Sequence, residues 1–155
     1  MKKQLIILWF VIGIISCQEK NQTIFLHALH TEKVEKLNLK IDKKGEFTSY
    51  NYVHQKDTLN NIDLKYYTKE DVLMIEKDTF LVTKKKYVTK NYDYKMYQKN
   101  EMNTPLRTLV FDKKYGLLCS TGFGADFLFF KDSLPLPETK LIFKQIILEL
   151  NKIDK

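Results

Sequence analysis

The chain lacks the short motifs that mark the commonest metal and hydrolase sites. It contains no Cys-x-x-Cys, no His-Glu-x-x-His and no Gly-x-Ser-x-Gly. No sequence motif therefore marks Ser49, Ser120 or Ser133 as a catalytic nucleophile. The acidic residues are scattered among lysines, and no two of them stand out as an acid/base pair. The sequence predicts no catalytic residue, and we expect a protein that is not an enzyme.

Long apolar runs are also scarce, because only residues 5–15 form one. A bilayer-spanning helix needs about 20 apolar residues, and the polar residues Gln18, Glu19 and Lys20 end this run too early. Lys2 and Lys3 precede it, which is typical of an export signal. The only tryptophan, Trp9, lies inside this segment.

The end of this apolar run carries an aliphatic residue, a variable position, a small residue and a cysteine. These are Ile14, Ile15, Ser16 and Cys17. The pattern resembles the lipobox of bacterial lipoproteins, in which the cysteine receives lipid and the chain is cleaved in front of it. The resemblance implies a signal peptide over residues 1–16, lipidation of Cys17 and a membrane-anchored product.

A short polar segment follows the cysteine, and residues 17–22 are predicted to form a lipidated tether. Gln18 follows the cysteine at the position where, in the lipoproteins that this segment resembles, an aspartate can signal retention at the inner membrane. The resemblance therefore implies the outer membrane of the cell envelope. The abundance of lysine, asparagine, isoleucine and tyrosine resembles that of small envelope lipoproteins of Bacteroidota.

The predicted mature chain is large enough for one domain with a core. Removing 16 of 155 residues would leave 139, and we assign residues 23–155 to a single α+β domain. Losing Lys2 and Lys3 would lower the formal charge from +7 to +5. This moderate basic excess suits a membrane, an envelope protein, a glycan or a lipid; an exported protein rarely meets nucleic acid, which we exclude.

With Cys17 lipidated, the second cysteine has no partner for an internal disulfide. Cys119 follows Leu117 and Leu118 and is predicted to be a small, buried core residue. The densest run of charge, Lys84 to Lys86, is predicted to lie at solvated hairpin ends or strand edges.

Most of the mature chain has a period of two, which predicts an antiparallel β-sheet meander. Leu37, Leu39 and Ile41 alternate with polar residues, and so do Tyr50 and Tyr52. Further strands are predicted in residues 62–66, 72–75, 80–83, 87–97, 106–111, 117–120 and 127–130. Residues 23–33 are ambiguous, because the apolar run of residues 23–29 is too short to distinguish a strand, which we favour, from the start of a short helix.

The period changes to three and four near the C-terminus. The apolar stripe comprises Leu141, Ile142, Ile146, Leu150 and Ile153. It predicts an amphipathic helix from about Pro137 that packs on one face of the sheet.

Three groups of residues are candidate binding sites, and each also has a structural explanation. His27 and His30 have helical zinc-ligand spacing, but nothing completes a site, so we predict no metal and no other cofactor. Gly122 and Gly124 form a lone Gly-x-Gly, which favours a hairpin turn over a nucleotide loop.

Tyrosine is the third group. Residues 50, 52, 66, 67, 92, 94 and 97 could form an aromatic face for a glycan or peptide, although packing within strands is favoured. The sequence does not identify binding residues.

These observations predict a membrane-anchored envelope lipoprotein with a non-catalytic binding or assembly role. One alternative is a carrier of lipid or lipoprotein resembling the half-barrel lipoprotein receptors. The other is an inhibitor of an acidic toxin or hydrolase, since a basic domain would repel a basic target.

Overall fold

The structure is a computed structural model and describes residues 21–55, 61–99, 107–122 and 126–152. Ten strands and one helix lie in these ranges. In chain order they are β1 (Gln22–Ala28), β2 (Lys33–Lys44), β3 (Phe47–His54), β4 (Ile62–Tyr67), β5 (Val72–Ile75), β6 (Asp78–Val88), β7 (Asp93–Lys99), β8 (Thr108–Asp112), β9 (Gly116–Thr121), β10 (Phe127–Phe130) and α1 (Leu136–Leu150).

The strands close into a barrel. Each strand is antiparallel to its neighbour in sequence, and β1 also pairs with β10 through registers such as Phe25 with Phe130. The predicted antiparallel sheet and C-terminal helix are thus confirmed. The predicted meander is incomplete as a description, because its first and last strands pair and leave no free sheet edge.

Inward-facing residues of nearly every strand fill most of the barrel. Alternation places Leu37 and Leu39 inside, with side chains fully buried, while Asn38 between them is exposed. Four tyrosines contribute to the same cluster, namely Tyr50, Tyr52, Tyr66 and Tyr97. The interior is therefore a packed core in which cavities occupy only part of the space.

The helix α1 packs on the outer face of the barrel. Ile146 is fully buried, and it contacts a second cluster that includes Met96 and Cys119. Tyr87 Oη donates a hydrogen bond to Gln145 Oε1 at 3.1 Å. No helix in the described part of the chain is both long and apolar enough to cross a bilayer.

The predicted apolar stripe of this helix is wrong at one position. Leu141 is 56% exposed, because a helix lying on the curved wall of a barrel contacts it along a narrow line. Thr139, which the stripe omits, is fully buried, and Ile153 lies outside the described residues. The helix begins at Leu136, which places Pro137 in its first turn.

Two predicted segments differ in their bounds from the structure. A strand is present where residues 23–29 were predicted, but β1 begins at Gln22, within the segment predicted as the tether, and ends at Ala28. Residues 87–97 are two strands separated by a turn, in which Thr89 Oγ1 accepts hydrogen bonds from the backbone amides of Asn91 and Tyr92. Because the Thr89 hydroxyl offers this local acceptor, the chain turns here, whereas the tyrosine-rich sequence had predicted one continuous strand.

The lysine run is also placed differently from the prediction. Lys84 to Lys86 lie within β6, not at a hairpin end, and the β6–β7 register shifts between Val82 and Lys86. Lys85 is half-buried because its ammonium donates to the backbone carbonyl of Leu150 at the end of the helix.

The topology gives the barrel two distinct ends. We call the end at which β1 begins the lower end. Since neighbouring strands are antiparallel, the connections after β2, β4, β6 and β8 and the chain leaving β10 also lie there. The ends of β1, β3, β5, β7 and β9, with the described residues that follow them, lie at the opposite, upper end.

Candidate binding cleft

A gap in the strand pairing is the origin of the candidate site. The β9–β10 register comprises two pairs, Phe127 with Ser120 and Leu128 with Cys119. On the other side of β9, the register shifts between Val110 and Phe111, which leaves Leu118 as an additional residue. Towards the lower end, β9 and β10 therefore form the two walls of a cleft.

The cleft has a volume of about 420 Å³ and a mainly apolar lining. Leu117 and Phe129 lie at its inner side, within the barrel core, whereas Leu118 and Ile142 belong to the outer cluster beneath the helix. Its complete lining is Ile24, Tyr87, Thr89, Tyr92, Tyr94, Tyr115, Leu117, Leu118, Phe129, Phe130, Lys131, Asp132, Leu134 and Ile142.

Three tyrosines from two neighbouring hairpins form an aromatic cluster in this lining. The rings of Tyr92 and Tyr115 are nearly perpendicular, with centroids 4.9 Å apart. The ring centroid of Tyr94 lies 5.8 Å from that of Tyr92 and 6.4 Å from that of Tyr115, and both pairs of rings are tilted. Such edge-to-face packing fixes the rings and presents aromatic surface to the cleft.

Cationic groups surround the same cluster. The ammonium of Lys131 lies 4.9 Å from the ring centroid of Tyr115, and that of Lys114 lies 5.0 Å from it. Burial, followed by the charge of Asp112, raises the pKa of Tyr94 well above its ordinary value. The Tyr94 hydroxyl is therefore neutral at physiological pH and can act as a hydrogen-bond donor.

A second cavity, of about 330 Å³, lies at the upper end. Glu35 and His54 line it and lie 3.0 Å apart, between Oε2 and Nδ1. Arg107 Nε donates to Ser120 Oγ at 3.3 Å. Leu117 and Phe129 line both cavities, so these two side chains separate them.

The two histidines with helical zinc-ligand spacing do not lie on a helix. His27 lies in β1 and His30 in the exposed turn after it. The His27 ring is buried against Phe130, and burial lowers its pKa, while Nε2 has no hydrogen-bond partner among the described residues. Within residues 21–55, 61–99, 107–122 and 126–152, no group of three or more histidine, cysteine, aspartate or glutamate side chains is arranged to hold a metal ion.

The three serines are placed in different environments. Ser49 donates to Asp63 Oδ1 at 3.1 Å, and Ser133 is exposed. Ser120 shares the upper cavity with His54, a proximity that sequence separation did not predict, although no hydrogen bond joins the two within the described part of the chain.

The cysteine and glycine predictions have separate outcomes. Cys119 is fully buried, as predicted, and burial raises its thiol pKa far above the ordinary value. Gly122 follows β9 with φ of +129°, which suits a glycine turn, but Gly124 lies outside the described residues, as does Cys17.

The tyrosines do not form one aromatic face. Strand packing is confirmed for Tyr50, Tyr52, Tyr66 and Tyr97, which are all in the barrel core. The cleft uses Tyr92 and Tyr94 together with two that the sequence analysis missed, Tyr87 and Tyr115. The only signal for Tyr115 was its position between the Lys113–Lys114 pair and Gly116 in a hairpin turn.

No protein-family model, curated protein or solved structure matches this chain.

Proposed function

We propose that this protein is a membrane-anchored envelope lipoprotein that binds a small, largely apolar ligand in the cleft between β9 and β10. The observation that carries the proposal is the cleft itself. Its volume of about 420 Å³ falls within the roughly 300–1,000 Å³ range of small-molecule sites, and its lining combines apolar side chains with a few polar groups at the rim.

The anchor is proposed from the sequence. Residues 14–17 resemble a lipobox, and lipidation at Cys17 would tether the barrel to a membrane, with the outer membrane as the expected location. The residues that follow leave only a short connection before β1 begins at Gln22.

A non-catalytic role is supported by the chemistry of the cleft lining. Tyr92, Tyr94 and Tyr115 offer aromatic surface and hydroxyl groups, which are typical recognition groups. Burial raises the pKa of Tyr94, so its hydroxyl stays protonated at neutral pH and can donate a hydrogen bond to a ligand.

The carrier alternative places its ligand inside a half-barrel. Here the barrel is closed, and packed side chains fill most of its interior. A lipid-like ligand would therefore bind in the cleft between β9 and β10, beside Phe129 and Phe130, and not in a central lumen of the barrel.

The test is binding of 1-anilinonaphthalene-8-sulfonate, an aromatic fluorophore with one sulfonate group, to the mature protein in detergent below its micellar concentration. We expect saturable binding at one site, weakened roughly fivefold or more by Tyr92→Ala or Tyr115→Ala, since each removes aromatic contact area. Tyr67→Ala is the matched control, because Tyr67 packs on Phe47 away from the cleft. Equal binding by all three variants, or no saturable binding, would overturn the proposal.

A further inference from the structure

Charge is distributed unequally between the two ends of the barrel. Seven exposed lysines lie in or beside the lower-end connections: Lys43, Lys44, Lys69, Lys90, Lys113, Lys114 and Lys131. The acids there that are in no ion pair within the described residues are the exposed Glu46, Glu70 and Asp132 and the half-buried Asp42 and Asp112, so the lysines still outnumber them. Within the described residues none of these lysines is in an ion pair, whereas Asp71 and Asp93 nearby are neutralised by Lys95 and Lys86.

The upper end has no such excess. The described residues of its connections and adjoining strand ends expose Lys33 and Lys77 against Glu32, Glu35 and Glu76, and of these acids Glu32 pairs with Lys140 and Glu35 contacts His54. The lower end is thus the basic end of the domain, and the tyrosine cleft opens there, between residues that follow β6, β8 and β10.

The position of β1 determines which end lies nearer to the anchor. Gln22 is the first residue of β1 and lies at the lower end, five positions after Cys17. Five residues reach at most about 18 Å, so a lipid on Cys17 would hold the lower end close to the bilayer. The seven residues of β1 then lead roughly 20 Å away from it, towards the upper end.

From the tether length and the charge distribution, we propose that the lower end docks on an anionic phospholipid membrane with the tyrosine cleft facing the bilayer. The lysines pair electrostatically with lipid phosphates, and Tyr92, which is exposed at the cleft, lies at the depth of the headgroups. This inference rests on the proposed anchor and deepens the proposed function, because it makes membrane lipid the nearest source of ligand for the cleft.

The test measures orientation of the mature lipoprotein in vesicles. Thr68→Cys at the lower end and Thr31→Cys at the upper end are matched labelling sites, since both threonines are exposed in turns and neither is charged. A donor fluorophore on each is paired with an acceptor lipid at the vesicle surface. Cys17 carries lipid and Cys119 is fully buried, so the introduced thiol is the one that is labelled.

In vesicles containing phosphatidylglycerol, we expect severalfold stronger energy transfer from position 68 than from position 31. High salt, phosphatidylcholine vesicles or the double variant Lys44→Glu with Lys113→Glu should reduce this difference at least twofold. Lys33→Glu with Lys77→Glu makes the same change of charge at the upper end and should leave the difference intact.

Equal transfer from the two positions, or stronger transfer from position 31, would overturn the proposed orientation. A difference that survives both high salt and the lower-end charge reversal would overturn docking through the lysines. Failure of the ligand proposal is distinguishable, because fluorophore binding to the cleft is measured without vesicles. Absence of lipid on Cys17 would be detected separately by the mass of the purified protein.

Discussion

The Tyr52 hydroxyl accepts a hydrogen bond of 2.7 Å from the backbone amide of Leu117, across the interior of the barrel. Tyr52 lies in β3 and Leu117 in β9, two strands that are not neighbours in the sheet. Gly116 makes this approach possible, since a Cβ at that position would lie 2.4 Å from the Tyr52 hydroxyl oxygen. The contact therefore braces opposite walls beside the cleft.

Tyr52→Phe should destabilise the domain by about 1–3 kcal/mol, because the buried Leu117 amide would lose its acceptor while the ring volume is kept. Urea unfolding of the purified protein measures the change. Tyr67→Phe is the control, since Tyr67 is half-buried in a ring contact with Phe47 and should be nearly neutral. Equal stability of the two variants would show that the cross-barrel bond contributes nothing.

Cys17→Ser should abolish lipidation, because serine lacks the thiol that the lipobox resemblance implies is modified. Incorporation of a labelled fatty acid in a bacterial host measures this directly. The variant should also leave the membrane fraction, and a high-salt wash separates lipid anchoring from ionic adhesion. Continued labelling and salt-resistant membrane association of the variant would contradict the assignment.

Cys119 should not react with thiol reagents while the protein is folded. Its side chain is fully buried between the barrel wall and α1, and burial raises the thiol pKa, so both access and thiolate are lacking. Mass spectrometry after treatment with a maleimide measures modification. The same treatment in denaturant should modify the residue, and rapid modification of the native protein would disprove the prediction.

Most strands could be predicted from the sequence because one face of each is buried, so apolar residues recur at every second position, as in Leu37 and Leu39. Closure could not be predicted in this way. It depends on pairing between Phe25 and Phe130, and alternation within either strand carries no information about such a distant partner.

The cleft could not be predicted from the sequence for a related reason. It exists where the β9–β10 register stops, and Tyr92 and Tyr115 reach it from two separate turns. Helical periodicity likewise identified Ile146 correctly, yet it could not show that the barrel wall contacts too narrow a line of the helix to cover Leu141.

The Asp71 carboxylate should make stability depend on acid pH. Burial alone would raise its pKa, but hydrogen bonds from Lys95, Tyr97 and Tyr66 hold the pKa below its ordinary value of 3.8. Burial, with the charge of Asp71, also raises the pKa of Tyr66 to about 12, so this hydroxyl remains a donor. The stabilisation is fully present above pH 3.8 and is lost as the pH falls through the lower pKa of the folded state.

Asp71→Asn should therefore destabilise the domain by about 1–3 kcal/mol near neutral pH, and the difference from wild type should shrink below about pH 4. Urea unfolding between pH 3 and pH 7 measures it. Asp132→Asn, at an exposed position, serves as the control and should change little over this range. A difference for Asp71→Asn that stays constant across the range would argue against a role for its ionisation.

The helix α1 should be an integral part of the fold. Two substitutions, one on its buried face and one on its exposed face, test this. Ile146→Asp would bury an unpaired carboxylate in the cluster that contains Met96 and Cys119, and we expect a loss of at least 3 kcal/mol. Lys144→Asp changes an exposed side chain and should stay within about 0.5 kcal/mol of wild type. Thermal unfolding of the two variants measures the contrast. If both were as stable as wild type, α1 would not be packed on the barrel in solution, and the outer wall of the cleft that Ile142 provides would be missing from the free protein.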